Sequence, residues 1–320
     1  MKILFITSSR IGDAVLSSGL LNYIEQSWPD AKVTIACGPL AVSLFEGYPL
    51  LEQIIPLKKE KHNKHWIKLW KQVIGTRWDM VIDLRDSAVS RLVRAKQRYI
   101  FSKHIDKNQH KAAQNAAVMR LPEIPAPKLW FTDAQKQKAA TLIPPGAPVL
   151  GVGPTANWIG KTWPAERFVE VVQWMSEKGG VMENARIAVF GAPGEEEGAY
   201  KVFNALPENR RLDLIAKGSP GEAAAAIAAC DFYLGNDSGL MHCAAAAGVP
   251  TCGVFGPSYP HIYAPYGKHA EYVRTPETFD ELIDFEGYDP KTLDHTLMET
   301  LSAETVKDKI TRMFEKRKAA

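Results

Sequence analysis

Short apolar runs alternate with helical patterns along almost the whole chain. Strand-like runs recur near residues 2–7, 32–36, 79–84, 148–152, 186–191, 211–215, 231–235 and 251–255. Between them apolar residues repeat at helical spacing, as Leu16, Leu20 and Ile24 do after the first run. Strands that alternate with helices are typical of parallel sheets covered on both faces. The sequence therefore predicts an α/β fold.

The chain has 320 residues, which is the length of two ordinary domains. Pro and Gly cluster at residues 142–148, and such clusters punctuate structure. We therefore expect an N-terminal domain over 1–145 and a C-terminal domain over 146–320.

Charge, apolar runs and cysteine spacing indicate which partners and which cellular compartment to expect. The net charge is only +3, so bulk charge does not indicate a nucleic-acid partner. The first apolar run is too short for a signal peptide, and no run of apolar residues is long enough to cross a bilayer. The four cysteines show no metal-binding spacing and are expected to be reduced: Cys37, Cys230, Cys243 and Cys252. We expect a cytoplasmic protein.

The segment 58–71 concentrates positive charge beside two tryptophans. Trp66, Leu69, Trp70 and Val73 share one helical stripe. The lysines are Lys58, Lys59, Lys61, Lys64, Lys68 and Lys71. Two interpretations remain open. The segment is either an ordinary surface helix with a solvated face, or a basic aromatic surface that contacts the anionic inner membrane.

Two polar turns follow predicted strands and precede predicted helices. Asp13 follows the first strand, either as an ordinary first-turn acid or as a carboxylate able to accept a hydroxyl proton. Further along, Gly235–His242 contains Asp237 and Ser238 at the start of a small-residue helix. The free N–H groups of such a helix start can bind an anion, although simple capping is the alternative.

Two further loops hold candidate ligands. Lys161 lies in the loop 153–164 and is able to reach a phosphate, although most loop lysines are only solvated. The run Gly151–Ala156 matches a dinucleotide fingerprint, which we reject because it does not open a helix directly and lacks a following acidic strand end. In the loop 191–197 a carboxylate could bind ribose or simply begin a helix. No Asp-x-Asp triplet indicates a metal site.

Taken together, these stretches resemble glycosyltransferase family nine, the ADP-heptose:lipopolysaccharide heptosyltransferases. The resemblance covers nearly the whole chain and rests on ordered motifs: Ile11–Asp13, Lys161–Pro164, Gly191–Glu195, Gly235–His242, Gly248–Pro250 and Phe255–Pro257. It implies a GT-B fold, with two Rossmann-like domains facing a central cleft. It also implies that the last helix, near 303–316, packs back toward the N-terminal domain.

The resemblance assigns roles to individual residues. Asp13 matches the general base and Asp237 the donor-sugar contact. The implied donor-diphosphate residues are Thr155, Lys161, Ser238, Gly239 and His242, and either Glu195 or Glu197 would bind the ribose or adenine. The N-terminal domain would bind the acceptor, with candidate cations Arg85, Arg91, Arg94, Lys103, Lys107 and Lys111.

The implied reaction is an inverting, metal-independent transfer of a heptose-like sugar from ADP-heptose to a lipopolysaccharide-type core acceptor. No cofactor is expected, and the expected partners are the nucleotide-sugar donor and an acidic glycolipid. Two alternatives remain: a sugar-nucleotide enzyme of the same fold, such as an epimerase, and a non-catalytic nucleotide-sugar-binding protein.

Overall fold

The computed structural model describes residues 1–319. The chain forms two compact units. Unit 1 contains Met1–Gln135 with Ser219–Glu222, and unit 2 contains Lys136–Gly218 with the residues from Ala223 onward. The division falls within the helix Asp133–Leu142, a little upstream of the proline-rich segment at which the sequence predicts a linker.

Unit 1 is built on a five-stranded parallel sheet. Its strands are β1 (Lys2–Ile6), β2 (Lys32–Cys37), β3 (Leu51–Pro56), β4 (Trp78–Asp83) and β5 (Ala95–Ile100). Its helices are α1 (Ile11–Ser27), α2 (Val42–Phe45), α3 (Lys64–Val73), α4 (Val89–Leu92) and α5 (Lys111–Val118), and α6 (Asp133–Leu142) follows. The strand order β3-β2-β1-β4-β5 is that of a Rossmann half, with its topological switch point between β1 and β4.

The core of unit 1 follows the predicted apolar pattern. Ile3–Ile6 of β1 are fully buried, as expected for a central strand covered on both faces. Leu69 and Val73 of α3 are buried in the same apolar cluster as Trp78, with Trp66 packed at its side. The helical stripe predicted for the lysine-rich segment is therefore confirmed, and its lysines are left outside the core.

Unit 2 contains a six-stranded parallel sheet. Its strands are β6 (Val149–Gly153), β7 (Arg186–Gly191), β8 (Arg211–Ile215), β9 (Phe232–Asn236), β10 (Thr251–Phe255) and β11 (Ala270–Arg274). Its helices are α7 (Ala165–Ser176), α8 (Glu196–Ala205), α9 (Pro220–Ile227), α10 (Gly239–Ala246), α11 (Pro260–Tyr263), α12 (Phe279–Ile283) and α13 (Ala303–Ala319). The order β8-β7-β6-β9-β10-β11 repeats the Rossmann pattern, with the switch point between β6 and β9.

The last helix contributes to the core of unit 2. Val306, Ile310 and Met313 of α13 are buried in the cluster that also contains Trp163 and Phe168. These contacts account for the apolar face of α13. Its predicted packing toward the N-terminal domain stays a prediction.

The predicted α/β class with two Rossmann-like parallel sheets is confirmed. Each of the eight predicted strand runs overlaps an observed strand, and the structure adds β3, β5 and β11. Within residues 1–319, no helix combines the length and the apolar character that crossing a membrane requires.

Candidate active site

The two switch points lie between β1 and β4 and between β6 and β9, so a ligand is expected at the carboxyl ends of these four strands. In open parallel sheets, ligands bind at the carboxyl edge where the strand order reverses. Asp13 follows β1 in unit 1, and Arg85 follows β4. In unit 2, Thr155 and Lys161 follow β6, and Asp237 follows β9. Each of these five candidate site residues therefore lies beside a switch point.

An ion pair joins the two loops at the switch point of unit 2. The Lys161 Nζ donates to the carbonyl oxygen of Asp237 and to its Oδ2, both at 3.1 Å. The two side chains are only 20% and 10% exposed, so this pair is largely withdrawn from water. The N–H of Trp163 donates to Asn236 Oδ1 at 3.1 Å, which fastens the Lys161 loop to the end of β9.

The start of α10 lies directly after this ion pair. His242 is buried one turn into the helix, with its Nε2 4.0 Å from Asp237 Oδ1. Ser238 occupies the N-cap position, yet its side chain makes no capping hydrogen bond. The capping alternative for Ser238 is therefore wrong in this structure. The first N–H groups of α10, which begins at Gly239, remain available to an anion.

A second polar contact lies on the neighbouring loops of unit 2. The Thr155 hydroxyl donates to Glu195 Oε2 at 2.7 Å. Glu195 precedes α8, and its carboxylate also accepts from the N–H of Ala192 at 3.4 Å. Glu197 instead extends into solvent, where it pairs with Lys201. Of the two ribose candidates, the structure brings Glu195 to the sheet edge and leaves Glu197 outside it.

Three glycines surround the Tyr233 ring, and two of them, Gly151 and Gly153, belong to the run that imitates a dinucleotide fingerprint. A Cβ on Gly151 would lie 3.0 Å from the Tyr233 ring, one on Gly153 2.0 Å from its hydroxyl, and one on Gly235 2.8 Å from its Cε1. The buried ring of Tyr233 therefore lies flat on β6 and β9, in space that only glycines leave free. These glycines serve packing, which agrees with rejection of the fingerprint.

Asp13 lies in the first turn of α1, at the switch point of unit 1. The Ser8 hydroxyl donates to Asp13 Oδ2 at 3.4 Å, and Arg85 Nη1 donates to the same hydroxyl at 3.4 Å. Ser8 thus links the carboxylate to a guanidinium. Ser8 is not among the predicted site residues, although its position five residues before Asp13 in the same turn is a signal that the sequence contains.

Lys111 is a second cation whose charge interacts with that of Asp13. Its Nζ lies 5.0 Å from the centre of the Phe101 ring and donates to Gln114 Oε1. Burial lowers the pKa of Lys111, the nearby Asp13 carboxylate raises it, and the charges of Arg85 and Lys107 lower it. Asp13, Arg85, Lys107 and Lys111 therefore act on one another electrostatically and form one charged group.

The remaining predicted acceptor cations do not join this group. Arg91 is engaged by Asp86 and by the carbonyl of Ser87. The carbonyl of Arg94 accepts from the N–H of Trp78 at the amino end of β4, which places Arg94 at the edge opposite Asp13. Arg94 precedes β5, and a parallel strand begins at the edge opposite its carboxyl end. Lys103 follows β5 and is exposed, without a contact to Asp13 in the structure.

The architecture defines an α/β protein of two units, each built on a Rossmann-like parallel sheet with polar residues at its switch point. The sequence model described as glycosyltransferase family 9 (heptosyltransferase) matches residues 66–287. The chain belongs to this glycosyltransferase family. The predicted family and the predicted enzyme class are confirmed.

Curated relatives agree with this assignment over most of the chain. Lipooligosaccharide heptosyltransferase 2 of Haemophilus influenzae is 24% identical, with 99% of this chain and 100% of the relative covered. Lipopolysaccharide heptosyltransferase 2 of Escherichia coli K12 is 25% identical, with 86% and 88% covered.

Solved structures show the same fold. The ADP-heptose LPS heptosyltransferase II of E. coli superposes with a TM-score of 0.74 at 20% identity, covering 99% of this chain and 100% of its own. E. coli heptosyltransferase WaaC, solved with ADP, gives 0.73 at 20% identity, covering 98% of this chain and 100% of its own.

Proposed function

We propose that this chain transfers a heptose from ADP-heptose to an anionic acceptor of the lipopolysaccharide core. The family and the names of the curated relatives support the reaction. The observation that carries the proposal for this chain is the Lys161–Asp237 pair at the start of α10. It puts a cation, a carboxylate and free helix N–H groups at one switch point.

These groups suit a nucleotide diphosphate that becomes a leaving group. Charge accumulates on the diphosphate as the bond to the sugar breaks, and fixed donors aimed at that charge lower the barrier. Lys161 and the start of α10 supply such donors. We propose that they replace a metal ion; within residues 1–319 no three His, Cys, Asp or Glu side chains are grouped to hold one.

Asp13 is the proposed general base. Its carboxylate takes the proton of the acceptor hydroxyl while that oxygen attacks the anomeric carbon from the side opposite the diphosphate. One displacement of this kind inverts the anomeric configuration. Ser8 contacts only one carboxylate oxygen, Oδ2, so Oδ1 is left for the acceptor hydroxyl.

The charged group around Asp13 supports an anionic acceptor. Lys111, Arg85 and Lys107 bring positive charge to the neighbourhood of Asp13, and such cations attract a carboxylate or phosphate on the acceptor. Such an anion would hold its neighbouring hydroxyl near Asp13. Unit 1 would thus bind the acceptor, and unit 2 the donor.

We also propose contact with the anionic inner membrane through α3, because the acceptor class is a glycolipid. The outward face of α3 carries Lys64, Lys68 and Lys71 around Ile67, which is 54% exposed. Lysines around an exposed aliphatic side chain are typical of a surface that rests on anionic headgroups.

Calorimetric titration of ADP, with UDP and GDP as controls, tests the donor assignment. The buffer contains EDTA, so binding cannot depend on a divalent metal. We expect preferential binding of ADP that is lost in Lys161→Ala. Binding of UDP or GDP in place of ADP would contradict ADP-heptose as the donor. Absence of nucleotide binding would contradict the proposed heptose transfer.

A further inference from the structure

The loop after β10 carries a hydroxyl that has no role in the donor site so far described. β10 pairs in parallel with β9, with Val254 opposite Asn236, and the N–H of Asp237 donates to the carbonyl of Val254 at 3.1 Å. After Phe255 the chain turns tightly, because the N–H of Ser258 donates to the carbonyl of Gly256 at 2.7 Å. Neighbouring parallel strands end at the same edge, so Ser258 lies at the edge that carries Asp237.

Three side chains at these two strand ends have buried polar atoms without a hydrogen-bond partner among the described residues. They are Ser258 Oγ, Ser238 Oγ and Asn236 Nδ2. Asn236 is fully buried, and its Oδ1 is already held by the N–H of Trp163, so the amide is fixed in orientation. A buried donor without a partner is costly and uncommon in native proteins. Three of them on adjacent strand ends therefore point to a polar ligand.

We propose that Ser258 binds a hydroxyl group of the donor sugar, and that Asn236 lines the same subsite together with the Ser238 hydroxyl, to which the resemblance assigns the diphosphate instead. This inference rests on the proposed function. The three groups are uncharged, whereas the cation Lys161 and the start of α10 already serve the diphosphate. Neutral hydroxyl and amide groups pair well with sugar hydroxyls, which both donate and accept.

The hydroxyl of Ser258 can turn toward a bound sugar without rearrangement of the backbone. Although its Oγ is buried, the residue as a whole is partly exposed. Rotation about the single Cα–Cβ bond turns the oxygen between staggered positions. The sugar then provides the hydrogen-bond partner that the protein alone lacks.

Ser258→Ala removes this one oxygen, and the probes are ADP and ADP-heptose, each titrated by calorimetry. We expect ADP-heptose to bind about five- to tenfold more weakly, as for one lost hydrogen bond, while ADP binds as to the unmodified protein. Ser176→Ala is the matched control, because Ser176 Oγ is also buried and has no hydrogen-bond partner in the described part of the chain, but lies at the end of α7. It should leave both affinities unchanged, and thermal unfolding checks that both variants fold.

The outcomes separate this inference from the proposed function. If the unmodified protein binds ADP-heptose and Ser258→Ala binds it equally well, the sugar subsite is wrong and the proposed function stands. If Ser258→Ala weakened the binding of ADP and of ADP-heptose equally, Ser258 would contact the nucleotide, and its assignment to the sugar would be wrong. If the unmodified protein binds neither ligand, the proposed function fails and this inference fails with it.

Discussion

The amino group of Lys161 donates both to the carbonyl oxygen and to the carboxylate of Asp237, at 3.1 Å each. The carboxylate therefore competes with an incoming diphosphate for the same cation. Breaking a largely buried ion pair leaves a charge uncompensated unless a new partner replaces the lost one. A diphosphate is such a partner, so donor binding and release of Asp237 toward the sugar would occur together.

Asp237→Asn should separate the effect of this carboxylate on nucleotide binding from its effect on the donor sugar. The neutral amide holds Lys161 less strongly, so we expect the affinity for ADP to be kept or raised. Turnover of ADP-heptose should fall, because the sugar loses a carboxylate acceptor. Calorimetry and a turnover assay measure the two quantities, with Lys161→Ala as the comparison. Loss of ADP binding in Asp237→Asn, to the extent seen in Lys161→Ala, would show that the carboxylate holds the phosphate site together.

Asp13→Asn should greatly reduce sugar transfer and leave donor binding unchanged. The amide has the size of the carboxylate but cannot accept a proton at neutral pH, and a positioned base contributes about 10²–10⁴-fold. We expect a turnover loss in that range with an unchanged affinity for ADP. Both are measured on the same preparation, so that misfolding is recognised. Near-normal turnover would exclude Asp13 as the base.

Lys111→Met should raise the KM for the acceptor by about tenfold or more, as expected when a charge-assisted hydrogen bond is lost. The KM for the donor should stay the same. Arg94→Met is the matched control, since it removes one positive charge at the opposite edge of the same sheet. Equal effects of the two substitutions on the acceptor KM would indicate general electrostatic attraction and contradict a specific site at Lys111.

The three strands that the apolar pattern does not predict share one position in the fold. β3, β5 and β11 are edge strands, whereas every interior strand was predicted. Interior strands are buried on both faces and appear as continuous apolar runs. β5 has three exposed residues in succession, Lys96–Arg98, so its composition resembles a loop. Sequence periodicity alone cannot recover a strand of this kind.

The candidate site was predictable where a motif lies at a strand end. Asp13, Lys161 and Asp237 were identified because each follows a clear apolar run. Arg94 was grouped with the acceptor cations because sequence distance does not show at which edge a strand begins. Ser258 follows a predicted strand, but its unpartnered hydroxyl becomes visible only when the packing around it is known.

The membrane proposal predicts binding to anionic vesicles through α3. Lys64→Glu with Lys71→Glu should strongly reduce cosedimentation with phosphatidylglycerol-rich vesicles, because each lysine near such a surface contributes about 1 kcal/mol. Lys178→Glu with Lys268→Glu is the control: it makes the same change in net charge on exposed positions of unit 2. Equal loss in both variants would indicate that only net charge matters, and binding by neither unmodified nor altered protein would contradict the proposal.

Gly153→Ala should destabilise unit 2 through Tyr233. The added methyl group would lie 2.0 Å from the Tyr233 hydroxyl, a distance at which the ring must move, and overpacking of this kind costs about 1–3 kcal/mol. Tyr233→Phe alone removes a buried hydroxyl that has no hydrogen-bond partner within residues 1–319, so it should be neutral or stabilising. In the Gly153→Ala background it should recover part of the loss, because the closest atom is gone.

Urea unfolding of the four proteins in this cycle gives the coupling between the two positions. Gly75→Ala is the control, since a Cβ there would meet no atom within 4 Å and should change the free energy of unfolding by less than about 0.5 kcal/mol. If Gly153→Ala were as stable as Gly75→Ala, the glycines of β6 would not be required for the Tyr233 ring. Their place beside the switch point would then need a ligand-based explanation, which ADP titration of Gly153→Ala would test directly.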